Sequence, residues 1–468
     1  MTTQATGALG AVESPLSGAV IQREGKTATI DVRAKASEAG TLYALLRKGR
    51  SVVDGFKWKK IGSSDGTTAT GALAKVPIGG EYTLELQLRR GDTVLGRTSV
   101  GRLLVGDIWI TGGQSNMDGW GKLVNTEPPS KQVHAFYFDD TWDTAADPLC
   151  WYNESIDPIH WGEADETKRR HAVVRDRKLR QNGAGPAVAF GKAVNQATGI
   201  PVGLIVCSHG GTSMEQWSPE KLDRGGRSLY GSMVRRVKAV GGKVTGLIWY
   251  QGESDALAEA QALYKDRMRK FIAAVRRDLD APKLPFLYVQ IGPFYTGPEV
   301  AVHWDAIKND QLEVEKDLAP AGMVATVDAG LADQIHLDTA SERRLGRRLA
   351  NLARAIVYKP GSLELGPRPV SARFADRDRT VLHVTFSGVN GALSPKRDIR
   401  GFGARKDTED LLIESQEVHP DKPNVVVIKF CEPVPHLSSI WYGLGVNPVV
   451  NLTDKEDMPV PAFGPITI

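Results

Sequence analysis

The run LLVGDIWIT, Leu103 to Thr111, leads without interruption into Gly112-Gly113-Gln114-Ser115-Asn116-Met117. A largely apolar run bounded by glycines fits a strand buried on both faces, the kind found in parallel sheets. A serine on a glycine-flanked turn after such a strand presents its hydroxyl at the carboxyl end, where backbone N–H groups also converge. That placement suits nucleophilic attack.

Downstream, apolar runs alternate with amphipathic segments, the pattern of a parallel sheet with crossover helices. Further strands are expected at Ile200 to Cys207, Val244 to Tyr250, Pro285 to Ile291 and Met323 to Val327. Between them, Pro186 opens a helix with Ala187, Phe190, Val194 and Ala197 on one face, ending at Gly199. A second helix carries Leu229, Met233, Val237 and Val240, and a third runs from about Ala256 to Leu279. The last presents Leu345, Leu349, Leu352 and Ile356, with Thr339 and Glu342 as a capping box at its start. The expected fold is a three-layer α/β domain over residues 103–360.

On either side the period changes to two. Leu84, Leu86 and Leu88 alternate with Thr83, Glu85 and Gln87, so residues 1–102 are expected to form an N-terminal β-sandwich accessory domain. Val381 to Phe386, Asn424 to Phe430 and Ile440-Trp441-Tyr442 point to a C-terminal β domain over residues 361–468. The stretch Val124 to Gly183 lacks the α/β rhythm and is rich in aromatics, among them Trp142, Trp151, Tyr152 and Trp161. An insertion of that length either walls a functional site or is a surface excursion anchored by its rings, and the sequence leaves both open.

Composition narrows the function classes. At 468 residues, 41% hydrophobic and 24% charged, the chain is an ordinary globular protein large enough for several domains. A net charge of +4 with both signs interspersed does not imply nucleic acid, and the dense basic segment Lys168 to Arg180 reads as a solvated face. Cys150, Cys207 and Cys431 are far apart and odd in number, so no disulfide framework or metal motif is expected. No segment approaches the length of a membrane span, and Met1 to Pro15 lacks the pattern of an export signal. The expectation is a cytoplasmic protein or the mature form of an exported one, with no membrane partner.

A serine nucleophile needs a base, a group to orient the base, and donors for the developing oxyanion, all at the carboxyl ends of the strands. Of 9 histidines, His336 is the best placed, in the loop between the fifth strand and the last helix. Asp333 precedes it by a spacing that lets a loop fold the carboxylate onto Nδ1. Ser208-His209-Gly210-Gly211-Thr212 follows the second strand, where a glycine lets the backbone approach a substrate oxygen. No spacing around His209, His160 or His171 matches a zinc pattern, so no metal is expected.

Gly113-Gln114-Ser115-Asn116-Met117 resembles the nucleophile block of the SGNH hydrolases, in the branch of sialate O-acetylesterases and related carbohydrate acetylesterases. Asp333-Gln334-Ile335-His336 resembles their Asp-x-x-His block, and Gly210-Gly211-Thr212 with Glu215 and Trp217 their second block. Trp249-Tyr250-Gln251-Gly252-Glu253 is similar to the pattern of sialate and acetylxylan esterases. The chain departs at His209, where the family often has tryptophan, and at Leu337, where it often has proline. The resemblance implies an SGNH-hydrolase core and a serine carbohydrate O-acetylesterase without cofactor: Ser115 as nucleophile, His336 as base and Asp333 as its partner. It implies an oxyanion hole of the Ser115 and Gly210 N–H groups, with Gly211 as rival, and the Gln251 amide.

Glu253 is expected either to orient neighbouring loops or to compete with Asp333, which is favoured for its proximity in sequence. His209 and Trp217 are the substrate-binding candidates; His209 reads equally as a turn histidine. The substrate is an acetylated carbohydrate, sialic acid or polysaccharide. The alternatives are a carbohydrate-binding protein with a degenerate core and an esterase for non-sugar esters. The sequence does not specify an oligomeric state.

Overall fold

The computed structural model describes residues 6–407, 409–434 and 439–467. The long strand Thr93–Gly113 organises the molecule. Its first part pairs antiparallel with Gly79–Arg90, and from Asp107 it runs parallel to its neighbours on both sides. The register shifts between Val100 and Leu103, where Arg102 adopts φ 60. The expected boundary at 102/103 therefore falls inside one strand, and hydrogen bonds, rather than a linker, join the N-terminal strands to the central sheet.

The parallel part of the sheet has the order Val133–Phe136, Val202–Val206, Thr93–Gly113, Gly246–Tyr250, Phe286–Gln290, Ala321–Ala325. Val202–Val206 and Gly246–Tyr250 are buried at every position, which is why they read as unbroken apolar runs. After Thr93–Gly113 the chain completes one side of the sheet and then the other. The carboxyl end of that strand is thus the switch point where α/β sheets open a crevice.

Helix Pro186–Thr198 packs on Thr339–Ala353, and Ala258–Asp278 on Ala301–Val314. Gly346 permits the first contact, since a Cβ there would lie 2.3 Å from the Pro186 carbonyl oxygen.

Three features differ from the sequence expectation. Val133–Phe136 adds a sixth parallel strand from within the aromatic insertion, which also contains the exposed helix Glu166–Leu179. Helix Ala301–Val314 buries Trp304, Ile307, Lys308, Gln311 and Val314; the lysine and glutamine on its inner face mask the apolar period. The last helix is capped by Asp338, whose side chain accepts from Ser341 N–H, rather than by a Thr339–Glu342 box. Both Glu342 carboxyl oxygens are buried without a hydrogen-bond partner among the described residues, so neither reaches back to the cap.

The C-terminal strands form two four-stranded sheets around a separate core that includes Leu382, Phe386, Ile428 and Tyr442. Among the described residues, no helix is long and apolar enough to cross a membrane.

Candidate active site

Ser115 opens a short helical turn, Ser115–Asp118, directly beyond the central strand. Gly113 makes the turn possible: its φ is 125, and a Cβ would lie 2.1 Å from the Tyr250 carbonyl oxygen. Gln114 fastens the turn to the adjacent strand end, its N–H donating to Tyr250 O at 2.8 Å and its Oε1 accepting from Gly252 N–H and Ser254 N–H.

The structure brings the loops of Ser115 and His336 together. Ser115 Oγ lies 3.0 Å from His336 Nε2, and His336 Nδ1 lies 2.7 Å from Asp333 Oδ2. Asp333 Oδ1 accepts from the Ile335 and His336 N–H groups at 2.9 and 2.8 Å, so the short loop wraps around its own carboxylate. Partial burial pushes the Asp333 carboxyl up, but the bonds from the His336 ring and those N–H groups outweigh it and hold it below its usual range. Trp120 stacks on the His336 ring at 4.6 Å between centroids.

Glu253 does not reach the imidazole through its hydrogen bonds. Its Oε1 accepts from Asn116 Nδ2 at 2.8 Å, and Asn116 in turn spans the histidine, with Oδ1 accepting from Leu337 N–H at 3.0 Å and Nδ2 directed at Ile335 O. Burial pushes the Glu253 carboxyl up to about 7. Asn116 is thus a bracket between the serine turn and both neighbours of His336. It stands in the motif that the sequence singled out, but nothing local signals this role.

Two sequence candidates are corrected. The Gln251 amide has both protons engaged, on Thr212 O at 3.1 Å and Asp255 Oδ2 at 2.6 Å, leaving no donor for a substrate oxygen. Trp217 is fully buried with Nε1 donating to Thr212 Oγ1, so it packs beneath the loop and has no surface to offer a substrate.

Gly210 lies beside Ser115; a Cβ on it would be 3.6 Å from Ser115 Cβ. Its N–H donates to the Tyr152 hydroxyl at 2.7 Å, and that hydroxyl donates to Asp118 Oδ2. Asp118 is almost fully buried, which pushes its carboxyl up to about 6 despite Arg180 nearby. Gly211, the rival donor, has φ 68. His209 stacks on the Tyr152 ring at 4.4 Å between centroids. Tyr152 and Asp118 escaped sequence reasoning, although Tyr152 belongs to the aromatic insertion. That insertion walls a cavity of about 500 Å³ lined by Asp118, Trp120, Trp151, Tyr152 and Arg180 among others.

The chain is similar in sequence and fold to known proteins. Residues 105–355 match the profile of the carbohydrate esterase family of sialic acid-specific acetylesterases. A probable carbohydrate esterase of Arabidopsis thaliana is 32% identical over 258 residues, which cover 52% of this chain and 88% of that protein. The crystal structure of a carbohydrate acetylesterase from Xanthomonas citri superposes with a TM-score of 0.65 at 22% identity, covering 96% of this chain and 97% of that one.

Proposed function

The chain belongs to the carbohydrate esterase family of sialic acid-specific acetylesterases, and from that premise we propose that Ser115 removes O-acetyl groups from a sugar with His336 and Asp333 as its partners. The observation that carries this reading is the line from Ser115 Oγ to His336 Nε2 at 3.0 Å and from His336 Nδ1 to Asp333 Oδ2 at 2.7 Å.

Ser115 Oγ attacks the acetyl carbonyl carbon while its proton passes to His336 Nε2. Asp333 holds the proton on Nδ1 and stabilises the imidazolium that forms. The carbonyl oxygen, now negative, is held by the Ser115 N–H, and by the Gly210 N–H once the substrate oxygen displaces the Tyr152 hydroxyl that accepts from it at 2.7 Å. His336 returns its proton to the sugar oxygen as the ester bond breaks. A water molecule then repeats the sequence on the acetyl-serine and releases acetate.

In this reading residues 103–360 are an SGNH-type catalytic unit, continuous through the strand Thr93–Gly113 with the β strands of 1–102 and followed by a β domain at 361–468. The substrate is an acetylated sialic acid or an acetylated polysaccharide, received where the aromatic insertion meets Ser115. The test is Ser115→Ala. Turnover of p-nitrophenyl acetate and covalent labelling by an organophosphonate should both disappear, with the circular dichroism spectrum unchanged. A wild-type protein that binds acetylated glycan but takes no label would instead be a carbohydrate-binding protein. Release of longer acyl groups without acetate would move the substrate outside acetylated sugars.

A further inference from the structure

A line of hydrogen bonds that the ester chemistry does not use runs from the Ser208–Thr212 loop into the protein. His209 Nδ1 lies 3.0 Å from His160 Nδ1, and His160 Nε2 lies 3.2 Å from Ser232 Oγ. Ser232 Oγ lies 2.6 Å from Asp157 Oδ2. Arg235 closes the line, its Nη2 donating to Asp157 Oδ2 at 2.9 Å and the guanidinium forming an ion pair with the same carboxylate.

The donors in this line have only one consistent order. A carboxylate paired with a guanidinium accepts and cannot donate, so Ser232 gives its one proton to Asp157. The Ser232 oxygen then accepts from His160, which places the His160 proton on Nε2. Burial, with Arg235 and Arg236 nearby, holds His160 well below its ordinary range, so the ring is neutral and its Nδ1 is a bare lone pair. The contact between the two Nδ1 atoms therefore requires His209 to donate. Burial lowers His209 to about 4, so this ring too carries one proton, on Nδ1, and its Nε2 is left as an acceptor.

That acceptor is well positioned. His209 is partly exposed, and among the described residues its ring is hydrogen-bonded through Nδ1 and not through Nε2. The next residue, Gly210, is the one that approaches Ser115, and the ring plane is fixed by stacking on Tyr152. Phe138 packs on His160 at 4.3 Å between centroids and holds the second ring.

We infer that His209 is a specificity-determining residue whose bare Nε2 accepts a hydrogen bond from a free hydroxyl vicinal to the acetylated one, and that His160, Ser232 and Asp157 are positioning residues that fix its proton on Nδ1. A carboxylate brings no proton to this place and would face a lone pair. Of a carboxylate and a hydroxyl, the hydroxyl is the one that fits. The inference rests on reading Ser115 as the esterase nucleophile.

The test compares two small esters: the monoacetate of trans-cyclohexane-1,2-diol, which carries a vicinal hydroxyl, and its methyl ether, which cannot donate. The wild-type protein should favour the hydroxyl ester in kcat/KM by about fivefold to tenfold, the worth of one hydrogen bond to a neutral acceptor. In His209→Phe the two values should become equal within about twofold. In Ser232→Ala the preference should also shrink, and 15N spectra of histidine-labelled protein should show the His209 proton, held on Nδ1 in the wild type, redistributed toward Nε2.

Equal kcat/KM for the two esters in the wild type overturns the inference. So does a preference that survives in His209→Phe, or a wild-type His209 protonated on Nε2. Failure to hydrolyse either ester while Ser115 still takes the phosphonate label overturns it as well, because the diol ester carries the donor required. Absence of both hydrolysis and label is instead the failure of the esterase reading.

Discussion

Two carboxylates stand within the motifs around His336, and their hydrogen bonds divide the work between them. Asp333 Oδ2 lies 2.7 Å from the ring, whereas Glu253 spends its contact on Asn116, which brackets Leu337 and Ile335. Asp333→Asn removes the acceptor that fixes the tautomer, and kcat for p-nitrophenyl acetate is expected to fall on the order of a thousandfold or more. Glu253→Gln keeps a group that can hydrogen-bond to Asn116, so the expected loss is below about tenfold. Equal losses in the two variants would contradict this division. The sequence suggested it through the short spacing of Asp333 from His336. The Gln251 amide was different, because its engagement depends on Asp255 and Thr212, and only the folded loop brings Thr212 to it.

Among the elements, the turn after the central strand is the most demanding. Gly113→Ala places a methyl group 2.1 Å from the Tyr250 carbonyl oxygen at φ 125, which the packed strand Gly246–Tyr250 cannot yield to. The expected cost is about 3 kcal/mol or more from overpacking and backbone strain together, read from urea unfolding, with loss of phosphonate labelling at Ser115. Stability and labelling that match the wild type would refute it.

Elements with a clean apolar period were legible from the sequence, such as Pro186–Thr198 with Ala187, Phe190 and Val194 buried. Ala301–Val314 was not. Its inner face carries Lys308, which donates to Gly445 O at 2.6 Å, and Gln311, whose Oε1 accepts from Ile291 N–H. Polar side chains that serve partners distant in sequence carry no local periodic signal. The four-residue strand Val133–Phe136 is too short to show a period of its own.

The whole molecule holds its parts together with buried polar contacts. Gln290 at a strand end exchanges two hydrogen bonds with the Ala462 backbone, at 2.9 and 2.8 Å, and Asn309 bonds to Gly464, so the C-terminal region is fastened to the parallel sheet. Several carboxyls are buried as well. Burial pushes Asp147 up to about 8 and Glu253 to about 7, and raises Glu342 well above its ordinary value.

As pH rises past the range where the unfolded carboxyls have already ionised, the native state still holds these protons and must give them up at a cost. Stability therefore falls with rising pH. Below about 6.5 the buried histidines oppose this: His160 and His209 are held neutral when folded but bind protons when unfolded. Above that value the buried carboxyls dominate, joined near pH 8.5 by Cys150 and Cys207, which burial holds protonated and which act in the same direction, so Tm is expected to decline from about pH 6.5 to 8.5, and Asp147→Asn should flatten the decline. A Tm that rises across this window would contradict the assignment.

The sequence by itself determined the positions where chemistry is concentrated. A buried apolar run must end in a turn, and a serine, a glycine pair and an aspartate–histidine pair at such ends are legible because each depends on neighbours within a few residues. Tertiary structure alone decided which of these groups meet and which protons are free. The bracket of Asn116 around His336, the engagement of Gln251, the hydroxyl of Tyr152 at Gly210 and the line from His209 to Asp157 each join segments far apart in the chain. Hydrogen bonds are directional and short-ranged, so such partnerships exist only once packing has fixed both ends.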